Sequence, residues 1–221
     1  MSDQFKITLA QLNATVGDLK GNADKVMKAW VKARDEYSNI IAFPELFITG
    51  YNPQDLILKP AFQKASYDII KKIAEDCLEG PAIALGGPFC EAGKLYNAYY
   101  ILSQGKIQAI IKKHHLPNQE VFDEVRLFSS GTVDGPFQVD QMRIGSPICE
   151  DAWHTDIVET LAETGAQILL VPNGSPYYRD KTDIRQNVMV SRVVESGLPL
   201  VYLNLVGGQD DQVFDGGSFV L

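Results

Sequence analysis

The sequence predicts an α/β fold with a mixed sheet, and three observations carry that prediction. Short apolar runs alternate with stretches of helical periodicity along most of the chain. Two of the apolar runs flank Gln104-Gly105, a hairpin signal that sets antiparallel strands beside parallel ones. The 221 residues are 45% hydrophobic and 22% charged, enough for one sizeable core, so residues 1–221 read as a single domain.

Lys6 to Leu12 reads as a first buried strand. Gly21 to Tyr37 places Val26, Trp30, Ala33 and Tyr37 on one side of a helix. Asn39 to Phe43 is a short second strand closed by Pro44, and Ala61 to Leu78 is a helix stopped by Gly80-Pro81. Ala82 to Gly87 is a third strand, followed by the hairpin of Leu95–Ser103 and Lys106–Lys112. Phe137 to Cys149 holds one or two strands. Asp156 to Gly165 is helical, Gln167 to Pro172 a strand, Asp183 to Gly197 a helix, and Pro199 to Asn204 a strand. Asp215 to Leu221 reads as a strand cut off in mid-run, which suggests part of a longer protein.

The net charge of −8 argues against nucleic acid or an anionic membrane as a main partner, because both attract basic surfaces. No apolar stretch approaches the ~20 residues of a membrane span, and Met1 to Phe5 is not a signal peptide. Three widely spaced cysteines fit neither a disulfide framework nor a CxxC site. A reducing, cytoplasmic setting is expected.

The chemistry centres on Cys149, in the run Ile148-Cys-Glu-Asp-Ala-Trp153, where an apolar strand gives way to a thiol and two acids. A sulfur at a strand-to-helix turn is accessible to a substrate. Free thiols ionise near pH ~8.5, so a base or cation must assist. Cys77 and Cys90 have no charged cluster beside them and read as small buried hydrophobes. Glu45, in an apolar Phe-Pro-Glu-Leu-Phe setting, loses hydration unless paired, and desolvation moves a carboxyl toward neutrality, as suits a general base. Lys113 follows an apolar run and can stabilise an oxyanion. His114 and His115 lack the i, i+4 helical pairing and the acidic partner of a zinc site, so no metal is expected. His154 is expected to begin the helix after Cys149.

Taken together, Phe43-Pro-Glu-Leu-Phe-Ile-Thr-Gly-Tyr51, Lys113-His-His-Leu-Pro-Asn118 and Ile148-Cys-Glu-Asp-Ala-Trp153 resemble the nitrilase, or carbon–nitrogen hydrolase, superfamily. The resemblance covers essentially the whole chain. It implies a four-layer αββα sandwich with a Glu-Lys-Cys triad. A narrower resemblance, to the glutaminase-domain branch of bacterial glutamine-dependent NAD synthetases, is carried by Gly50–Leu56, Leu116–Glu124, Asn173–Pro176 and Val206–Gly216.

The resemblance implies Glu45 as base, Lys113 as oxyanion stabiliser and Cys149 as nucleophile, with the Glu150 backbone N–H as second oxyanion donor. Glu124 would help order the site, and Ser175 and Lys181 would hold the amino-acid end of glutamine. The chain departs from the branch at Gln119, where the family carries a tyrosine that contacts glutamine. Glutamine amide hydrolysis of this kind needs no cofactor. ATP and Mg are implied only for a synthetase domain that this chain lacks, since it contains no Ser-Gly-Gly-x-Asp-Ser loop and no Walker motif. That domain and a second copy of the chain, in a homodimer, are the implied partners. Two alternatives stand beside this reading: an amidase for another ω-amide or N-carbamoyl compound, and a catalytically weak assembly domain.

Overall fold

Two five-stranded sheets stack face to face, with a pair of helices outside each. The computed structural model describes residues 4–119, 121–179 and 181–221, and only the backbone of residues 181 and 182. The first sheet runs in order through β1 (Ile7–Leu9), β2 (Ile40–Ala42), β3 (Ala82–Glu91), β4 (Lys94–Ser103) and β5 (Lys106–Lys112). Its first three strands are parallel and the last two antiparallel. In the second sheet β6 (Phe137–Val139) pairs antiparallel with β7 (Met142–Gly145), and β8 (Ile168–Asn173) and β9 (Leu200–Asn204) continue parallel to β7. Beyond β9 the hairpin β10 (Val206–Gln209) and β11 (Gln212–Asp215) stands apart, and β12 (Phe219–Val220) returns antiparallel to β9.

The layering follows from side chains that alternate along each strand. In β2 and β4, Ile40, Ala42, Tyr99 and Ile101 point into the space between the sheets. Ile41, Ala98, Tyr100 and Leu102 point the other way, onto α1 (Leu19–Asp35) and α2 (Pro60–Asp76). The second sheet repeats the arrangement. Leu170, Val201 and Leu203 face the first sheet. Leu169, Val171, Leu200 and Tyr202 face α4 (Thr155–Glu163) and α5 (Lys181–Ser196). The strands are apolar on both sides because both sides are covered, as parallel sheets require. The expected αββα order is thus the observed one. The remaining helix, α3 (Glu124–Leu127), is a single turn after β5.

Helix ends match their sequence signals. Asp18 accepts a hydrogen bond from the Gly21 N–H to cap α1, and Pro60 opens α2. Gln104 and Gly105 both take positive φ, as a tight two-residue hairpin requires. Four expectations need correction. Tyr37 does not share the buried side of α1: the helix ends at Asp35, and Tyr37 takes a φ of +57° and is exposed. β3 does not stop at Gly87 but continues through Pro88 to Glu91, because β2 pairs only with its first residues and Pro88 has no ladder partner to disappoint on that side. β7 ends at Gly145, so Cys149 opens a separate 3-10 turn instead of ending a strand. Cys90 is exposed on β3, not buried, whereas Cys77 is buried as expected. Among the described residues, no helix is long and apolar enough to cross a membrane.

Leu203 is fully buried between the sheets. Leu203→Ala is expected to lower the unfolding free energy by about 2–5 kcal/mol, through lost burial and a residual cavity. Urea denaturation should show a lower midpoint at an unchanged slope.

Candidate functional site

The three chemically marked segments converge where strands of both sheets end. Phe43 leaves β2 with its N–H on Ala84 and its carbonyl accepting from the Tyr99 hydroxyl at 2.8 Å. The chain then turns sharply: Leu46 takes a φ of +48°, and Ile48 returns its N–H to Gly86. Gly86 leaves room for this turn, since a Cβ there would lie 2.3 Å from the Leu46 nitrogen. Glu45 is thereby delivered, fully buried, to the end of the sandwich. Lys113 follows β5, its N–H on the Asn97 carbonyl at 2.9 Å.

Lys113 is the hub. Its ammonium, with no solvent exposure, donates to Glu45 Oε1 at 2.7 Å and to Glu124 Oε2 at 2.8 Å. Asn97 Nδ2 donates to Glu45 Oε1 at 2.8 Å, the Gly174 N–H to Glu45 Oε2 at 2.8 Å, and the Tyr51 hydroxyl to Glu124 Oε1 at 3.1 Å. Glu45 is therefore paired, not left desolvated and alone. Burial acts against the Lys113 cation, but the Glu124 and Glu45 carboxylates outweigh it and lift its pKa well above the ordinary lysine range. Glu124 is pushed up to about 7, by burial first, with Lys113 opposing.

Cys149 is buried and has a φ of +48°, a conformation that costs a side-chain-bearing residue about 1 kcal/mol or more. Asp151, two residues on, holds the turn. Its Oδ2 accepts from the Ile148 N–H at 3.1 Å, and its Oδ1 from the N–H groups of His114 at 3.1 Å and His115 at 2.7 Å. The Asp151 carboxyl is raised to about 6 by burial, which these hydrogen bonds offset in part. One carboxylate thus ties the Cys149 turn to the segment that bears Lys113. Burial and the neighbouring Glu45 charge raise the thiol pKa well above its usual value, with Lys113 opposing.

Beside the sulfur lies a pocket of about 80 Å³, lined by Gln119, Phe122, Cys149, Glu150, Trp153 and Ser175. A larger cavity of about 660 Å³ lies away from this site, lined by Ser38, Asn39 and Asp140 among others. It touches no nucleophile or buried charge cluster, so chemistry and not size selects the smaller pocket. The structure brings together Glu45, Lys113, Glu124 and Cys149, and sets Gln119, Glu150 and Ser175 around the opening. The Lys181 side chain lies outside the described residues.

Sequence reasoning missed several contributors. Asn97 and the Gly174 N–H complete the Glu45 pairing, and Tyr51 supports Glu124. Around Ser175, Asn204 grips the backbone at 2.9 and 3.0 Å, and buried Arg185 lies 3.4 Å from its hydroxyl and 3.3 Å from Asp215. Tyr51 and Asp215 sit inside segments the sequence had marked, whereas Asn97 carried no signal. His154 directly precedes α4, as expected. His115 does have an acidic partner, contrary to expectation: Asp156 lies 3.0 Å from its Nε2.

A buried thiol, carboxylate and ammonium at one end of an αββα sandwich define a nitrilase-type hydrolase. The family described as carbon-nitrogen hydrolase matches residues 6–221, and the chain belongs to it. It is 52% identical, over all of its length, to a glutamine-dependent NAD(+) synthetase of Rhodobacter capsulatus, and 42% identical over 98% of its length to one of Aquifex aeolicus. The chain spans only 40% and 38% of those two proteins. Among solved structures, a glutamine-dependent NAD+ synthetase of Acinetobacter baumannii superposes with a TM-score of 0.93 at 34% identity, over 98% of this chain and 41% of that one. An amidase of Nesterenkonia sp., bearing acrylamide added at its active-site cysteine, superposes with a TM-score of 0.86 at 26% identity, over 99% of this chain and 85% of that one.

Glu124 makes the site's contribution to stability depend on pH. Its pKa rises from an ordinary 4.5 to about 7 on folding, so between these values the folded chain holds more protons than the unfolded one. That contribution is complete below pH 4.5 and is lost as pH rises through 7. Melting temperatures of the parent and Glu124→Gln should therefore differ by an amount that changes between pH 4.5 and 7 and levels off above about 8. A constant difference would contradict the assignment.

Proposed function

We propose that this chain hydrolyses the side-chain amide of glutamine to glutamate and ammonia, with Cys149 as nucleophile, Glu45 as general base and Lys113 as oxyanion stabiliser. The observation that carries the reading is the Glu45–Lys113–Glu124 cluster buried beside the Cys149 thiol. Similarity over the full length of this chain to 40% of a glutamine-dependent NAD(+) synthetase supports the choice of substrate.

Glu45 Oε1 already accepts from Lys113 and Asn97, and Oε2 from the Gly174 N–H, which leaves lone-pair capacity on Oε2. That oxygen takes the thiol proton. Because the resting thiol has a raised pKa, the proton leaves as attack proceeds, not beforehand. Sulfur bonds to the amide carbon, and the carbonyl π electrons become an oxyanion. Lys113 and the Glu150 N–H stabilise it, the latter being a first-turn donor without an intrahelical partner; one such donor is worth ~3 kcal/mol. The C–N bond then breaks and the nitrogen takes the proton from Glu45. Water, deprotonated by the same carboxylate, cleaves the thioester, releasing glutamate and the thiol. Glu124 carries none of these protons; with Glu45 it holds Lys113 in place.

Gln119, Glu150 and Ser175 line the opening through which glutamine enters, with its amino-acid end toward Ser175, and the family resemblance adds Lys181 to that end. In this reading the ammonia feeds NAD synthesis in a synthetase domain of the same protein. ATP and Mg belong to that domain, and the hydrolytic step uses neither. A reducing cytoplasm suits the three free thiols. Exposed Ile184, Val190 and Val194 on α5 support pairing of two copies through that helical layer, which sedimentation velocity should register as a dimer.

Cys149→Ala should abolish glutamate release with the fold intact, and Glu45→Gln should slow thioester formation and hydrolysis together by at least ~100-fold. A glutamine-derived electrophile should label Cys149 before Cys77 and Cys90 in a peptide map. Faster turnover of another ω-amide or an N-carbamoyl compound in competition would overturn the choice of glutamine, and would favour the amidase reading suggested by Gln119 and the Nesterenkonia relative.

A further inference from the structure

All three histidines of the sequence gather on the outer side of the Cys149 turn. The His115 ring stacks on His154 at 3.8 Å and meets the edge of His114 at 4.7 Å. One ring nitrogen each of His114 and His115 and one carboxylate oxygen of Asp156 lie within 4.8 Å of one another. We propose that His114, His115 and Asp156 form a binding site for a divalent transition-metal ion of the zinc class. This assignment is independent of the reaction proposed above, and it revises the expectation of no metal.

Four observations support it. His115 Nε2 lies 3.0 Å from both oxygens of Asp156, so the carboxylate faces the ring nitrogen and an ion could take the place of the proton between them. His114 Nδ1 lies 2.7 Å from the Gly131 carbonyl, which can only accept. Nδ1 therefore carries the hydrogen and Nε2 the lone pair, the outer-shell arrangement that orients metal-binding histidines. The buried Asp151 carboxylate fixes the backbone of both histidines, so the donors are pre-positioned. Asp156 lies in the first turn of α4 with its side chain 59% exposed, so a surface rotamer adjustment can bring an oxygen onto an ion at the cost of its Oδ1 bond from the Ile157 N–H. Zinc distances of ~2.0–2.2 Å put donors ~3.3 Å apart, close to the 3.0 Å between His115 Nε2 and Asp156, and all three donor atoms lie within 4.8 Å of one another. Two imidazoles and one carboxylate suit zinc or cobalt better than magnesium or calcium, and they leave a coordination position for water. His154 stacks outside the set and is not a ligand. A bound ion would clamp the segment that carries Lys113 to the start of α4.

The test titrates tag-free protein carrying Cys149→Ala, which removes the nearest competing thiol, with Co²⁺ and then Zn²⁺. One equivalent of cobalt should bind with the visible bands of a nitrogen/oxygen site, without thiolate charge transfer, and zinc should displace it. Asp156→Asn should weaken binding at least ~10-fold and His115→Ala should remove saturable binding, while His154→Phe should bind as the parent does. Zinc should also raise the melting temperature by about 5 °C in the parent and not in Asp156→Asn. If His115→Ala fails to fold, the exposed Asp156→Asn carries the test. Equal cobalt affinity in parent and Asp156→Asn, loss of binding in His154→Phe, or a thiolate charge-transfer band from Cys90 would each overturn the site.

Discussion

An ammonium with no contact with water must be paired, and the pairing of Lys113 organises this end of the molecule. Two carboxylates within 2.8 Å compensate its lost hydration, and each has donors of its own to satisfy its remaining lone pairs. Removing Lys113 would leave two buried carboxylates without compensation, a cost of about 3–5 kcal/mol or more. The turn after β2, the end of β5, the single turn α3 and the start of β4 are held in their relative places by this set of bonds. The same set leaves the site short of positive charge, with two carboxylates to one ammonium; burial first, and this imbalance second, raise Glu124 to about 7 and keep the sulfur protonated.

The site draws on both sheets. Glu45, Lys113 and Asn97 come from the first, while Cys149, Gly174 and Ser175 come from the second. They meet because β2 and β5 run the same way, as do β7 and β8, and the loops at their carboxyl ends converge. Open α/β sheets place function at that edge, since loop residues there are free of ladder hydrogen bonds. Hydrogen bonds link the sheets within the site: the Gly174 N–H donates to Glu45, and the His114 and His115 N–H groups donate to Asp151. Register between the sheets is therefore part of the chemistry. A slip of one residue, ~3.3 Å, would separate base from nucleophile.

Most strands and helices were legible because burial on two faces leaves unbroken apolar runs, and one-sided burial leaves a helical stripe. Ile40 to Ala42 and Leu200 to Asn204 show the first, and Val26, Trp30 and Ala33 the second. Partnering was not legible: nothing local says that β5 closes one sheet and β6 opens another. The β10–β11 hairpin escaped notice because Gly207, Gly208 and two aspartates dilute its apolar signal. In the site, Glu45, Lys113 and Cys149 stood out as charged or reactive groups at the ends of apolar runs. Asn97 did not, because its role arises only from a β4 register that sets it beside Lys113. The partnership of His115 with Asp156 spans 41 residues, beyond any local pattern.

The burial of Cys149 also bears on how this molecule ages. Peroxides and other mild oxidants attack thiolates that they can reach, and the first product, a sulfenic acid, is the gateway to irreversible damage. Cys149 in its resting state offers little of either ionisation or access: it is 4% exposed at the bottom of a small pocket, and burial first, with the Glu45 charge beside it, holds its proton. Cys90, on the surface of β3, meets such reagents first. A sulfur that ionises only when an electrophilic carbon arrives is protected between turnovers, and its chemical lifetime is set by how seldom it stands exposed.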